Sequence, residues 1–376
     1  MVSERAYLKG ARSGAGLLSL TNEVSRLLTL FTDIGAEIVD PAALLPADTL
    51  IDLYGEDLRG RAYTTLDPVE GERMLRPDFT VPVVQMHLAN GQKSGKYAYA
   101  GSVWRKQQVG SQRPTEYTQV GIEAFGGTNA SMAEAEVFAL ISGALSDLPV
   151  SPVTGDTSLI FAAIEALDTS ERRKAALRRH VWRPARFLRL LKRYSEPEIQ
   201  SVERKELMAL LKNGDVRNVL ESQGKILGLR SVDDIIGRMD ILADEATAPR
   251  ISAEDVKTIK DILDLKCTMV DAVGALEKVA PKLTDAVQRI AERADELSKV
   301  GIDLQSLRFD AAYGCSSFEY YDGFVFGFDA PAEFDLPQIA QGGRYDALTG
   351  ALGQTVPAVG GIIRPEALLA LKAGVA

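Results

Sequence analysis

The stretch GSVWRKQQVGSQRPTEYTQVGIEAFG, residues Gly101–Gly126, is the part of the chain that indicates the fold most clearly. Arg105 and Arg113 stand on either side of a short turn rich in glycine and glutamine. After the turn, polar and apolar residues alternate, which is typical of a half-buried strand. We therefore expect a strand, a loop and a second strand that direct two guanidinium groups towards an anion and several polar groups towards an amine or a cation. The polar groups of the second strand belong to Glu116, Gln119 and Glu123.

The composition is that of a globular protein with room for two domains. The chain has 376 residues, of which 46% are hydrophobic and 25% are charged. Its net charge of −9 disfavours a protein whose main task is to bind tRNA or DNA. Two cysteines and two histidines give neither a disulfide framework nor a metal-ligand spacing, so we expect a cytoplasmic protein without a metal site. We also expect no membrane span, since no apolar run is long enough to cross a bilayer.

Periodicity divides the chain into three segments. Residues 1–168 contain an amphipathic helix, a short strand that ends at Pro41, and the strand–loop–strand pattern. Residues 169–300 are charged, rich in helical periodicity and poor in strand signals, so we expect an inserted helical domain there. Residues 301–376 return to the strand pattern and are expected to complete the core that residues 1–168 begin.

Two local patterns lead to specific predictions. The stretch Leu276–Lys299 has the periodicity of one long helix that kinks or restarts at Pro281. The stretch Phe318–Phe328 is rich in aromatic residues and contains Asp322 followed by Gly323, a pair typical of hairpin turns. We therefore expect an aromatic hairpin with its turn at this pair.

Five short blocks occur in an order that resembles the core of histidyl-tRNA synthetases, which are class II aminoacyl-tRNA synthetases. Several blocks in order are far more specific than any one of them. They are LRPDFT at Leu75–Thr80, motif 2 within Gly101–Gly126, EYY at Glu319–Tyr321, GGRYD at Gly342–Asp346 and PAVG at Pro357–Gly360.

The resemblance implies an α+β fold. Its core would be a class II synthetase-like, mixed and mainly antiparallel sheet flanked by helices, with a helical insertion and no anticodon-binding domain. It also implies a dimer through motif 1, whose terminal proline would be Pro41. A simple turn proline remains the alternative at that position.

A histidine-binding pocket is also implied by the resemblance. The α-ammonium group would be held by Asp78, Thr80 and Gln119, and a carboxylate with two neutral acceptors can satisfy its three N–H donors. Asp78 stands where the synthetases usually have glutamate, and Glu123 would lie near the imidazole. The residues implied to bind histidine are Asp78, Thr80, Arg105, Gln119, Glu123, Tyr320, Tyr321 and Tyr345.

The positions that serve ATP chemistry in the synthetases depart from the family pattern. Arg105 matches the motif 2 arginine, but an adenine-contacting glutamate and three phosphate-binding or activating arginines are replaced. Each lost contact to a developing phosphate charge costs on the order of several kcal/mol of barrier. We therefore expect no aminoacylation activity, no catalytic residue and no cofactor, although Arg364 lies close enough to motif 3 to substitute in part. The replaced positions are Gln107, Thr115, Ser316 and Ala367.

A core that keeps the histidine pocket without the ATP clamp resembles the regulatory subunits of ATP phosphoribosyltransferase, the first enzyme of histidine biosynthesis. The resemblance implies a homodimer within a hetero-oligomer that binds the short catalytic subunit, activates it and mediates feedback inhibition by L-histidine, without tRNA. The alternatives are a histidyl-tRNA synthetase, another synthetase-derived adenylating enzyme, and a structural subunit without a ligand.

One basic stretch has more than one interpretation. Residues Arg172–Arg193 contain ten lysines and arginines, interrupted by Pro184. They are compatible with a solvated helical face, with a patch for an anion or a partner, or with a nucleic-acid site whose stacking aromatics would be Trp182 and Phe187. The stretch Leu177–Phe187 resembles the basic helix of the regulatory subunits' insertion.

Overall fold

The fold is described by a computed structural model of the chain. The structure describes residues 12–48, 62–107, 113–197, 231–315 and 320–375 as continuous ranges. A few single positions between these ranges are described as well.

The described part of the chain contains twelve strands. In chain order they are β1 Glu37–Ile38, β2 Leu44–Pro46, β3 Thr64–Asp67, β4 Gly71–Leu75, β5 Gly95–Trp104, β6 Glu116–Phe125, β7 Ser151–Asp156, β8 Lys266–Thr268, β9 Arg308–Asp310, β10 Phe324–Asp329, β11 Ala340–Arg344 and β12 Ala358–Ile363.

Helices precede, separate and follow these strands. In chain order they are α1 Gly14–Asp33, α2 Thr80–Ala89, α3 Ala130–Ala144, α4 Ser158–Glu165, α5 Glu171–His180, α6 Pro184–Ser195, α7 Val232–Thr247, α8 Ala253–Asp264, α9 Met269–Val279, α10 Thr284–Lys299, α11 Asp346–Ala351 and α12 Pro365–Val375. None of the helices described is long and apolar enough to span a bilayer.

Nine strands form one large sheet in the order β1-β5-β6-β12-β11-β10-β7-β9-β8. Only the pairs β1–β5 and β7–β9 are parallel, and the other neighbours are antiparallel. A smaller sheet has the order β2-β4-β3. The predicted α+β class with a mixed, mainly antiparallel sheet is therefore confirmed.

The β5–β6 hairpin is the part of the sheet that the opening stretch predicts. Ten residue pairs join the two strands, from Gly95 opposite Phe125 to Trp104 opposite Glu116. Their inner side chains are fully buried, because helices cover this region of the sheet. The loop between the strands carries Arg105 at its start and Arg113 near its end.

The buried core lies between the sheet and the helices packed on it. On α1, Leu20, Leu27 and Phe31 follow helical spacing and are buried. On α3, the ring of Phe138 lies 5.4 Å from that of Phe326 and 5.3 Å from that of Phe328 on β10. Aromatic residues alternate along β10, so three of them pack on the same helix.

The chain packs as two compact units, and the helical unit differs from the predicted insertion. It spans Ile160–Asp261, whereas the sequence predicts residues 169–300. The charged helical pattern continues through α9 and α10, but α10 belongs to the sheet-containing unit. There Arg293 is buried and donates hydrogen bonds to Glu134 on α3 at 2.5 Å and to Asp156 on β7 at 2.7 Å. A buried charge needs such partners, so these contacts hold α10 against the core.

The predicted restart at Pro281 is observed. Two helices, α9 and α10, replace one long helix, and the first of them already begins at Met269. Gly301 has a positive φ of 84°, which glycine adopts without strain, and it directly follows the C-cap Val300 of α10.

The predicted hairpin with a turn at Asp322 and Gly323 is wrong in the described residues. The strand β10 begins at Phe324 and pairs with β7 and β11, not with residues just before the turn. The Asp322 carboxylate instead accepts the backbone N–H groups of Asp346 at 3.1 Å and Ala347 at 2.6 Å, and so caps α11. The first part of the predicted hairpin, residues 316–319, lies outside the described residues.

Candidate functional site

The candidate site lies where α2, the β5–β6 hairpin and strands β11 and β12 meet. The cavity between these elements is narrow, with a volume of about 10 Å³, and is lined mainly by polar side chains. That space holds about one water molecule, so a larger ligand enters only if lining side chains move. All eight residues that the sequence implies line this one cavity, namely Asp78, Thr80, Arg105, Gln119, Glu123, Tyr320, Tyr321 and Tyr345.

Glu123 is the buried acid at the centre of the site. Its carboxylate accepts hydrogen bonds from three hydroxyl groups, those of Thr80 at 3.0 Å, Tyr99 at 2.9 Å and Tyr345 at 2.5 Å. The side chain is 1% exposed. The three donors come from α2, β5 and the residue after β11, so parts of the chain that are far apart in sequence hold the carboxylate in one orientation.

The protonation of Glu123 is sensitive to its surroundings. Burial raises the pKa of Glu123 from 4.5 to about 7, and the nearby Asp78 carboxylate acts in the same direction. The hydrogen bonds from Tyr345, Tyr99 and Thr80 oppose this rise because they stabilise the ionised form. The site therefore contains a carboxyl group that titrates near neutral pH.

Gln119 supplies an acceptor to the same cavity. It lies four residues before Glu123 on β6 and is 1% exposed. Its amide oxygen, Oε1, has no hydrogen-bond partner within the described residues. A buried carbonyl oxygen without a partner costs free energy, so it favours a ligand that brings an N–H donor. Asp78 and Thr80 line the cavity beside it, although Thr80 directs its hydroxyl hydrogen to Glu123.

Three tyrosines form an aromatic wall. The ring centroid of Tyr320 lies 4.7 Å from that of Tyr321 and 6.0 Å from that of Tyr345, with the second pair nearly perpendicular. Burial raises the pKa of both Tyr321 and Tyr345, so their hydroxyl groups stay protonated and can donate. A flat heteroaromatic ring with hydrogen-bonding nitrogens is complementary to such a wall.

Sequence reasoning missed residues that shape the cavity. Tyr99 holds Glu123 and stacks on Phe79, with ring centroids 4.4 Å apart. Its signal is the alternation of Tyr97 and Tyr99 on β5, which predicts one shared face. Gly360 on β12 leaves room for the acid, because a Cβ atom there would lie 1.6 Å from Glu123 Oε2.

The residues at the altered ATP positions make contacts of their own. The Gln107 amide donates to the Pro114 carbonyl at 3.2 Å, and Ala367 is buried on α12. Arg364 donates to the Gln338 carbonyl at 2.5 Å, and burial lowers the pKa of its guanidinium. The other two altered positions are Thr115 and Ser316, and Ser316 lies outside the described residues.

Comparison with known proteins gives the family of the chain. The family model described as histidyl-tRNA synthetase matches residues 19–266 and 242–368. The chain belongs to the histidyl-tRNA synthetase family.

Relatives within the family have a more specific name. A protein from Brucella anthropi is 28% identical over 344 residues, which cover 86% of this chain and 90% of its own length. One from Rhizobium johnstonii is 29% identical over 92% of this chain and 95% of its own length. One from Mesorhizobium japonicum is 29% identical over 93% of this chain and 96% of its own length. All three are named ATP phosphoribosyltransferase regulatory subunit, which supports a non-catalytic role in histidine biosynthesis for this chain.

Solved structures of the family share the fold. A protein from Bacillus halodurans, described as an ATP phosphoribosyltransferase regulatory subunit/histidyl-tRNA synthetase, has a TM-score of 0.70 at 18% identity and covers 99% of this chain and 84% of its own. A histidine–tRNA ligase subunit from Alicyclobacillus acidocaldarius has a TM-score of 0.62 at 21% identity, and the match covers 98% of this chain and 97% of that protein.

Proposed function

We propose that this chain is the histidine-sensing regulatory subunit of ATP phosphoribosyltransferase. In this proposal it binds the short catalytic subunit in the cytoplasm, activates it and releases that activation when L-histidine occupies the cavity described above. The two ligands must then be coupled, because histidine can shift the complex only through different affinities for its two states.

The observation that carries the proposal is the pairing of two buried groups four residues apart on β6. Gln119 presents an amide oxygen without a partner in the described part of the chain, and Glu123 presents a carboxylate oriented by three hydroxyl groups. With Asp78, the first group suits an α-ammonium, whereas the second suits an imidazole N–H. L-Histidine carries both donors at its two ends.

The altered ATP positions support a sensor over an adenylating enzyme. Class II activation needs several arginines to neutralise the phosphates in the transition state. Thr115 and Ala367 have no charge to offer, and Arg364 already donates to the Gln338 carbonyl. Arg105 remains beside the cavity, where its Nε donates to the Pro77 carbonyl at 2.8 Å, and a guanidinium at this position suits a carboxylate of the ligand.

A homodimer through motif 1 is part of the proposal. β1 is an edge strand of the large sheet, and Ile38 on it is 58% exposed. The small sheet also exposes apolar side chains, with Leu66 78% exposed and Val69, in its turn, 91% exposed. Exposed apolar groups next to an unpaired strand edge favour a second copy of the chain as the partner.

The test measures formation of phosphoribosyl-ATP by the same organism's short catalytic subunit, with and without this chain, across a histidine titration. We expect activation that histidine reverses. Glu123→Gln and Gln119→Ala should weaken inhibition by histidine about tenfold or more, since each removes a buried polar contact. Glu136→Gln, at an exposed position on α3, is the matched control and should leave the histidine response unchanged.

Calorimetric binding of histidine to the chain alone separates sensing from assembly. Binding without any effect on the catalytic subunit would contradict the regulatory role and leave only a histidine-binding protein. ATP-dependent activation of an amino acid by the chain itself would favour the adenylating alternative.

A further inference from the structure

The helical unit contains a concave, strongly basic site of its own. The first turn of α5, the last turns of α6 and α7 and the segment after α7 surround a cavity of about 560 Å³. This cavity lies entirely within the unit Ile160–Asp261. Its basic lining residues are Arg172, Arg173, Arg189, Lys192, Arg193 and Arg250.

Acidic groups compensate only part of this charge. Among the described lining residues, two carry carboxylates, and each is paired, Glu245 with Arg173 at 3.1 Å and Glu196 with Lys192 at 3.7 Å. Arg172, Arg189 and Arg250 are exposed and form no ion pair within the described residues. Like charges held around one concavity repel each other, and a bound anion removes that repulsion. The concentration of charge stands out in a chain whose net charge is −9.

The floor of the cavity is held in place by hydrogen bonds. Arg173 donates to the carboxylate of Glu245 at 3.1 Å, to its backbone carbonyl at 2.7 Å and to the Pro249 carbonyl at 2.9 Å. Ser170 caps α5 and donates to Glu245 at 2.7 Å. The Ile251 N–H donates to the Tyr194 carbonyl at 3.2 Å, which ties the segment after α7 to the end of α6. The rim arginines therefore extend from a fixed base, which lowers the entropic cost of binding.

We propose that this cavity binds a small ligand that carries two or more phosphate groups. Guanidinium groups match phosphate oxygens in pairs, and Arg172, Arg189 and Arg250, which form no ion pair among the described residues, can engage more than one phosphate. A volume of about 560 Å³ lies within the range of small-molecule sites.

A nucleic acid is less favoured by the same residues. Single-stranded nucleic acids bind to grooves in which several aromatic side chains stack on successive bases. The only aromatic residue among the described lining residues is Tyr194, and the Arg173 guanidinium already lies over its ring at 5.2 Å. The site thus offers charge and concavity without a stacking surface. This inference is independent of the proposed histidine sensing, since it concerns the other unit.

The test titrates the intact chain with inorganic tripolyphosphate at constant ionic strength and measures binding by calorimetry. We expect saturable binding of one tripolyphosphate per chain. Arg172→Ala and Arg189→Ala should each raise Kd about tenfold or more, the effect of one lost charge-assisted contact. Arg179→Ala on α5 and Arg186→Ala on α6 are matched controls, because they remove the same charge from exposed positions on the same helices outside the cavity.

Equal, small changes for all four variants would overturn the proposal, because they would indicate binding to overall charge. Failure of tripolyphosphate to bind would also overturn it. If, in that case, a short RNA duplex or an acidic peptide bound and Arg172→Ala weakened it, the cavity would be part of a macromolecular interface. Circular dichroism of each variant verifies that the helices are retained.

Discussion

The hydroxyl group of Tyr345, which directly follows β11, donates a 2.5 Å hydrogen bond to the Glu123 carboxylate on β6. The two residues are 222 positions apart in the chain, and strand β12 separates their strands in the sheet. The contact is possible because β12 carries glycine at position 360, next to the carboxylate. The GGRYD block, Gly342–Asp346, therefore supplies a hydrogen bond to the buried carboxylate of motif 2.

Tyr345→Phe should make Glu123 harder to ionise. Removing one hydroxyl donor from a buried carboxylate costs its ionised form about 1.5 kcal/mol or more, which raises the pKa of Glu123 by about one unit. If histidine binds to the ionised acid, the pH midpoint of histidine affinity moves upward by the same amount, as measured by calorimetry across pH. Tyr97→Phe is the control, because the Tyr97 hydroxyl donates to Gln92 instead. An unchanged midpoint in Tyr345→Phe would contradict the contact.

Glu123→Gln should change how stability depends on pH. The pKa of Glu123 is raised in the folded state from 4.5 to about 7, so the folded state binds more protons between these values. The free energy of unfolding therefore falls as pH rises through this window, by on the order of 3 kcal/mol for this group. Glutamine does not titrate, so the variant does not lose this stability as the pH rises. The free energy of unfolding of the variant minus that of the natural chain should therefore be larger at about pH 8 than at about pH 5. Urea unfolding at the two pH values measures the difference, and equal differences would refute the raised pKa.

Gly360→Ala should disrupt the site. The added Cβ atom would lie 1.6 Å from Glu123 Oε2 and 2.7 Å from the Ile122 carbonyl oxygen, so either the acid or β12 must move. We expect a loss of histidine binding and a destabilisation of about 1–3 kcal/mol, measured by calorimetry and urea unfolding.

Gly274→Ala provides the matched comparison. Gly274 lies inside α9, and no atom lies within 4 Å of an added Cβ. The same substitution there should stabilise the chain by about 0.4–1 kcal/mol. Similar effects at both glycines would contradict the close packing of β12 against Glu123.

Arg293→Met should strongly destabilise the sheet-containing unit. Arg293 on α10 is buried between Glu134 and Asp156, and its loss removes a positive partner from both carboxylates, of which Glu134 retains Arg344. Breaking a buried ion pair in this way costs about 3–5 kcal/mol. Lys299→Met, in the exposed ion pair with Glu296 on the same helix, should cost about 1 kcal/mol or less. Urea unfolding of both variants measures the contrast, and a cost near that of Lys299→Met for Arg293→Met would argue against the buried network.

The hairpin could be predicted from a local pattern, whereas the lining of the site followed from a family resemblance. Alternation within Gly101–Gly126 was sufficient for the β5–β6 hairpin, because alternation acts over a few residues and a single stretch contains the information. The resemblance of the short blocks to histidyl-tRNA synthetases implied eight of the residues that line the cavity. Tyr99 was missed because its partner Glu123 lies on a different strand, and no local pattern pairs the two.

The sequence by itself indicated the fold class and the family resemblance, and that resemblance implied which residues line the cavity. The tertiary structure decided three other features, namely that α10 belongs to the sheet-containing unit through Arg293, that Asp322 caps α11, and that burial brings the pKa of Glu123 to about 7. Each of these depends on groups distant in sequence that approach within hydrogen-bond distance or exclude water. Such proximity is a property of the packed chain, and strand or helix periodicity cannot encode it.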